Sequence, residues 1–220
     1  MPDGRAQRDR FQPTTPRRRG AVARAEGILD GLDRLLAQSS PSDIGLPAIA
    51  REAAIPLSSI YHLFPTAEAA FTGLVRRYNA RMDKELEALL AGPLPGTWQE
   101  IARELLSAVR DFYARNPVLA RVVLGAVPER AARVTDDAHI AELAERFALE
   151  IERRFEAPHV RDLPRRLAIA MAISDRVWSL GVTDDGTIPD FLFEESLRAL
   201  AGYLGHYLPP CLEQRRPAAA

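Results

Sequence analysis

Residues 46 to 64, LPAIAREAAIPLSSIYHLF, gather two hydroxyls, a phenol and an imidazole onto one short stretch of chain. Ser58, Ser59, Tyr61 and His62 can each donate a hydrogen bond to a phosphate or meet a base edge. The apolar residues between them dictate how they are held. Ile49, Ala50 and Ala53 form the inward face of one short helix, which reaches a tight turn at Ala54-Ile55. Pro56 begins a second helix, a place proline tolerates because the first amides of a helix lack helical partners anyway. On that helix Ile60 and Phe64 face inward, which leaves Leu57, Ser58, Ser59, Tyr61 and His62 outward. Small polar residues at the front of a helix let its backbone approach a groove closely. The layout is that of a helix-turn-helix.

Bond-breaking chemistry has no comparable constellation. The chain lacks a Gly-rich phosphate loop, a His-Glu-x-x-His pair and a nucleophile elbow. Its single cysteine, Cys211, follows Pro209-Pro210 near the end of the sequence. That position suits no preorganised nucleophile, excludes an intrachain disulfide and fits a reducing compartment. His139, His159 and His206 lie far apart without ligand spacing, so they read as ordinary surface or half-buried histidines. No metal, cofactor or enzymatic activity is expected.

The elements that must position the short helices are helical almost throughout. Val22, Ala25, Ile28, Leu29, Leu32, Leu35 and Leu36 recur at spacings of three and four, which predicts an amphipathic first helix ending at Ser39-Ser40-Pro41-Ser42. Short helices over 46–53 and 57–63 precede a long one over 66–90, whose stripe is Phe71, Leu74, Val75, Tyr78 and Met82. Gly92-Pro93-Leu94-Pro95-Gly96 reads as a linker, and Thr97 with Glu100 as a capping box starting a helix that runs to Asn116. Pro117, Pro128, Pro158, Pro164, the 183–189 stretch and Pro209-Pro210 mark further breaks. The sum is an all-α fold of about nine helices, with strand-like alternation missing.

Composition is that of a globular chain, with no apolar run long enough to span a membrane and no hydrophobic segment of a secretory signal at the start. A cytoplasmic protein is expected. The net charge of −1 hides an asymmetry: residues 1 to 80 hold eleven Arg against eight acids, and residues 81 to 220 hold eighteen Lys plus Arg against twenty-two acids. Arg5, Arg8, Arg10, Arg17, Arg18, Arg19 and Arg24 face only Asp3 and Asp9. A basic front end suits a protein that meets phosphate there, and equally a solvated disordered tail. Residues 1–20 are read as a disordered Arg-rich tail, 21–66 as the helix-turn-helix domain, 67–210 as a linking helix with a larger helical domain, and 211–220 as a second disordered tail.

The stretch from 22 to 78, with SSIYHLFPTAEAAF at its last junction, resembles the DNA-binding region of the TetR family of bacterial transcriptional regulators. The Ile-Tyr-His-Leu-Phe-Pro block, followed by an acidic helix-starting residue and Phe71, is its most specific segment. The resemblance implies a homodimer that binds double-stranded DNA at a palindromic operator through Pro47, Leu57, Ser58, Ser59, Tyr61, His62 and Thr66. A small apolar or amphipathic effector in the C-terminal domain would control it, with no membrane partner. Repression is the expected sign, although an activator has the same components. The alternative is a helical sensor or adaptor of this architecture that does not bind DNA.

Three positions depart from the family pattern. Ala54 stands where Gly is frequent, and can be housed if its φ stays negative. Gly45 stands where Ser or Thr often caps the first short helix. Thr66-Ala67-Glu68 replaces a frequent Lys at the start of the long helix, which removes one phosphate cation per subunit.

Toward the C-terminus, a pair of helices carries apolar residues on both sides. Leu167, Met171, Ser174, Trp178 and Gly181 make one stripe over 165–181, and Ile169, Ile173, Val177 and Leu180 make another. Phe191, Leu197, Leu200, Ala201, Leu204 and Leu208 form a wide face over 190–208. A helix apolar on two sides buries one in its own core and one against something else. The resemblance implies a four-helix dimer interface here, assigned to Leu167, Met171, Ser174, Trp178, Leu197, Leu200 and Leu204. An effector pocket is expected among Phe112, Tyr113, Val122, Val123, Phe147, Met171 and Trp178, with Ser174, Asp175 and Arg176 as polar candidates. Aromatic residues at helical spacing serve equally as plain core.

Overall fold

The computed structural model describes residues 12–13, 19–125 and 130–215. Most of the Arg-rich N-terminal segment, the Pro128 break and residues 216–220 lie outside the described residues. Nine α-helices are present among the described residues: α1 Arg19–Gln38, α2 Leu46–Glu52, α3 Leu57–Leu63, α4 Ala67–Ala91, α5 Trp98–Arg115, α6 Pro117–Leu124, α7 Arg130–Arg154, α8 Leu163–Trp178 and α9 Asp190–Leu204. A 3-10 turn at Pro41–Asp43 follows α1. The only β pairing among the described residues is an isolated antiparallel bridge between Phe155 and Gln214. The all-α expectation holds.

The chain forms two compact units, one of residues 1–80 with 117–136 and the other of 81–116 with 137–220. The boundary expected at 66 is therefore displaced. The first fourteen residues of α4 (67–80) and the whole of α6 belong with the helix-turn-helix, because each satisfies groups there that α1 leaves open. Arg121 of α6 donates to the Leu36 carbonyl at 2.5 Å, one of the terminal carbonyls that a helix cannot satisfy itself.

In the first unit the core is Ile28, Leu29, Leu32 and Leu36 of α1, Ile49 of α2, Ile60 of α3, Phe64, and Phe71, Leu74, Val75 and Tyr78 of α4. Val22, expected in the stripe, is exposed, since it lies at the solvent-facing start of α1. Two glycines permit close approaches. A Cβ on Gly31 would lie 3.0 Å from the Ala53 Cβ and 3.1 Å from its amide nitrogen, so α1 and α2 meet nearly backbone to backbone. A Cβ on Gly73 would sit 2.8 Å from the Phe64 ring, which occupies that space.

In the second unit α8 and α9 pair along their length, and α5 packs on α9. Thr97 caps α5, its hydroxyl accepting from the Glu100 amide at 3.3 Å and donating to the Glu100 carboxylate at 2.7 Å. Arg103 holds Glu194 of α9 through two bonds of 2.6 and 2.9 Å, and Arg110 reaches Asp190. The expected disordered tail from 211 is corrected for its first residues. The Glu156 amide donates to the Glu213 carbonyl at 2.8 Å and the Arg215 amide to the Arg154 carbonyl at 2.7 Å, while Trp98 donates to Pro209. Backbone pairing orders residues whose side chains carry no apolar period, which is why spacing does not reveal them. No helix among the described residues is long and apolar enough to cross a membrane.

Candidate nucleic-acid interface and regulatory unit

The α3 surface follows from the burial of two residues. Ile60 is fully buried and Leu63 is buried beside it, and this fixes the rotation of the helix that carries them, while Phe64, expected on the same helix, is its extended C-cap and is buried too. Ser58, Tyr61 and His62 are then exposed, with Tyr61 at 52%, while Leu57 and Ser59 are half-buried. Pro47 is exposed in the first turn of α2. Arg51, one helical turn further along α2, is also exposed; it is absent from the residues expected at the interface, although its i+4 spacing from Pro47 was the available signal. Thr66 is half-buried and caps α4, its hydroxyl accepting from the Ala69 amide at 3.1 Å. No side chain caps α2 behind Gly45.

The turn between α2 and α3 does not meet the condition that would house Ala54 without strain. Ala54 has φ of 54°, in the left-handed region, rather than a negative angle. The reversal leaves no alternative, because the Ile55 amide must reach back to the Ala50 carbonyl, at 3.1 Å, to close the turn. An L residue there carries roughly 1–2 kcal/mol of strain.

Charge pairs hold this frame together. Arg34 of α1 clamps the end of α2 through the Glu52 carboxylate at 2.6 Å and the Glu52 carbonyl at 3.1 Å. Arg77 of α4, largely buried, reaches Asp30 at 2.6 Å and Glu26 at 3.3 Å, and Tyr78 donates to Asp33 at 2.6 Å. The acidic flank of α1 is thus occupied by α4.

The second unit rearranges the expected sites. Trp178 is fully buried within its own protomer, donating to the Ser196 hydroxyl at 2.9 Å. Its ring stacks near Phe193 at 6.4 Å and meets the Tyr113 edge at 6.2 Å. Phe112, Tyr113, Leu167, Ser174, Leu197, Leu200 and Leu204 are buried likewise, and Phe147 borders on it at 9% exposure. The stripe assigned to the dimer interface is therefore internal packing of α8 on α9; only Met171, half-buried, retains surface. The opposite stripe is the outward one. Ile169, Ile173 and Val177 are half-buried like Met171, Leu180 just past α8 is 65% exposed, and Phe191 of α9 is 70% exposed. Asp175 is half-buried and Arg176 exposed, where it bonds Ser179. Val122 and Val123 belong to the first unit, and the other residues expected around a pocket to the second.

A further group of charges, which neither helix signals in its sequence, joins α4 to α7. Arg146 bridges Asp83 and Glu87, with 2.8 Å to Glu87, and His139 lies 3.1 Å from Asp83. Burial outweighs the Asp83 and Glu142 carboxylates and holds the His139 pKa below its ordinary value. His139 is 7% exposed, more deeply set than its spacing suggests. No cluster of His, Cys, Asp or Glu among the described residues could hold a metal ion.

The molecule is thus a helix-turn-helix protein with a second, separate helical unit. A family model described as Tetracyclin repressor-like, C-terminal domain, matches residues 97–204. An uncharacterised HTH-type transcriptional regulator, found in two strains of Mycobacterium tuberculosis, is 34% identical over 99 residues. That match spans 44% of this chain and 46% of the relative, so the chain covers less than half the length of the curated relatives it matches. A TetR-family regulator from Streptomyces coelicolor is 25% identical with a TM-score of 0.61, over 84% of this chain and 98% of that one. Another from Pectobacterium atrosepticum shares the fold, at 17% identity and TM-score 0.63, over 90% and 100%. The chain is thus similar to the TetR family of transcriptional regulators, in its C-terminal domain by the family model and in its fold by the solved structures.

Proposed function

We propose that the protein binds double-stranded DNA as a cytoplasmic homodimer, reads a palindromic operator through α3, and is released by a small apolar or amphipathic molecule held in its second unit. The observation that carries this reading is the exposed Ser58-Tyr61-His62 face on a helix whose rotation two buried residues fix. A rigid polar face at a helix front is what major-groove entry requires, and Thr66, Pro47 and Arg51 supply further contacts and charge beside it.

A dimer follows from the same logic, because two recognition helices about 34–36 Å apart match successive turns of DNA. The surface that supports it is the outward stripe of Ile169, Ile173, Val177 and Leu180 with Phe191. A twofold contact of this kind places the same patch on both subunits. Release is a population shift: a molecule that prefers a state with altered spacing of the recognition helices lowers operator affinity in proportion to that preference. The helix α4 contributes residues to both units and is the element through which the shift passes.

Fluorescence anisotropy with labelled DNA from upstream of the protein's own gene, at two salt concentrations, tests the reading, followed by selection from random sequence. Binding to a selected palindrome, at least about tenfold tighter than to random DNA, supports it. Failure of the selection supports instead a sensor that does not bind DNA, a reading favoured by Glu68 in the first turn of α4, an acid next to the expected phosphate contact.

A further inference from the structure

The turn that leads into α3 stands on an unfavourable residue. Ala54 holds φ at 54° while the Ile55 amide reaches back to the Ala50 carbonyl at 3.1 Å. An L residue in that region relaxes to a negative angle when free to do so, and here relaxation would open the turn and swing the start of α3. A strained residue persists only where its surroundings over-determine it, so contacts outside the turn must hold this one.

The helix α1 grips the two residues before Ala54. Gly31 lies so close to Ala53 that a Cβ on it would meet the Ala53 amide nitrogen at 3.1 Å. One turn further along α1, Arg34 donates through Nε to the Glu52 carboxylate at 2.6 Å and through Nη2 to the Glu52 carbonyl at 3.1 Å. The helical partner of that carbonyl would be residue 56, a proline, which has no N–H to give. A guanidinium satisfies the carbonyl and the carboxylate together because its donors form one rigid fork. From its other side α1 is anchored independently of α2, since Arg77 and Tyr78 of α4 bond Asp30 and Asp33, each at 2.6 Å. The Arg34 and Glu52 side chains are 54% and 36% exposed, so their ion pair adds little to overall stability. What the pair of bonds fixes is the place where α2 ends relative to α1.

We propose that Arg34 is a positioning residue for DNA reading. By capping α2 at Glu52 it keeps Ala54 in its left-handed conformation, and so sets the angle at which α3 presents Ser58, Tyr61 and His62. Arg34 itself touches no DNA in this role. The proposal rests on the regulator reading above for its consequence, whereas the state of the turn is measurable without DNA.

The test uses the full chain, a labelled palindrome selected from random sequence at several salt concentrations, and amide hydrogen exchange at Ile55 without DNA. Arg34→Met keeps the aliphatic stem and loses every donor. It is expected to bind the palindrome at least about tenfold more weakly and to exchange the Ile55 amide at least about tenfold faster, with a thermal midpoint close to wild type. Made in an Ala54→Gly background, the same substitution is expected to cost less than about threefold in each readout, because glycine takes the left-handed conformation without help. Wild-type affinity and exchange in Arg34→Met, or a loss undiminished in the Ala54→Gly background, overturns the proposal. So does unchanged Ile55 exchange with a salt slope flatter by about one ion per subunit, the signature of a direct phosphate contact. Should Arg34→Met not fold, Arg34→Lys keeps the charge without the fork; faster Ile55 exchange in it supports the proposal, and wild-type exchange overturns it. A wild type that selects no palindrome strikes the regulator reading, and Ile55 exchange then still decides whether Arg34 holds the turn.

Discussion

The helix α3 and the pair α8–α9 are both legible from apolar spacing, yet spacing gives the exposed Ser58, Tyr61 and His62 on α3 and reverses the inner and outer stripes of α8. On α3 the burial of Ile60 and Leu63 leaves Ser58, Tyr61 and His62 for solvent, with Leu57 and Ser59 half-buried at the margins. On α8 two apolar stripes compete. The structure puts Leu167, Ser174 and Trp178 inside the protomer and turns Ile169, Ile173 and Leu180 outward, the reverse of the expected assignment. A one-sided helix announces its orientation. A two-sided helix leaves it to whichever neighbour fits better, and here the Ser196 hydroxyl and the Phe193 ring supply the partners that draw Trp178 in.

The largest expected effect tests the inner stripe directly. Trp178→Ala should lower the stability of the folded chain by about 3–5 kcal/mol, read by denaturant unfolding, because a fully buried ring leaves a cavity. Replacing the outward residues should act otherwise. Ile173→Glu with Leu180→Glu should weaken dimerisation by more than about 2 kcal/mol, roughly thirtyfold, in sedimentation equilibrium, with an unchanged far-ultraviolet spectrum. If those substitutions leave the dimer intact while Leu197→Ala dissociates it, the expected stripe is the interface after all.

On the α3 side, Tyr61→Phe removes one hydroxyl from an exposed ring. It should cost about 0.5–1.5 kcal/mol of DNA affinity and no measurable stability or ligand affinity. Equal loss of fold and binding would make the residue structural.

Acid should act on the second unit through His139. Its pKa is held low, first by burial, so the unfolded chain binds the proton more readily. Stability from this source is complete above the unfolded value, about 6.5, and is lost as the pH falls through that value toward the depressed one. His139→Gln should flatten that segment of the stability–pH curve. An unchanged slope would show that other groups set it. The smallest effect belongs to the turn: Ala54→Gly should raise stability by up to about 1 kcal/mol, since the relieved left-handed strain is partly offset by the flexibility of glycine in the unfolded chain.

Much of the architecture is legible from punctuation. Thr97, Pro117 and the Gly92–Gly96 segment set helix ends within a residue or so of where they fall, because caps and prolines act on the local backbone. The charge cluster between α4 and α7 is not legible. Asp83, Glu87, His139 and Arg146 are ordinary polar positions on two helices far apart in sequence, and nothing in either helix signals that the other will meet it.

The sequence by itself determined the helices, the helix-turn-helix and the residues on the face of α3, since each depends on spacing within a few turns of chain and on apolar side chains leaving water. Only the tertiary structure decided where the units divide, which stripe of α8 faces outward, that Ala54 bends against its preference, and that residues 211–215 are paired. Those outcomes depend on contacts between segments far apart in the chain. Local propensity cannot rank such contacts, because the packing of one helix is settled by the shape of another.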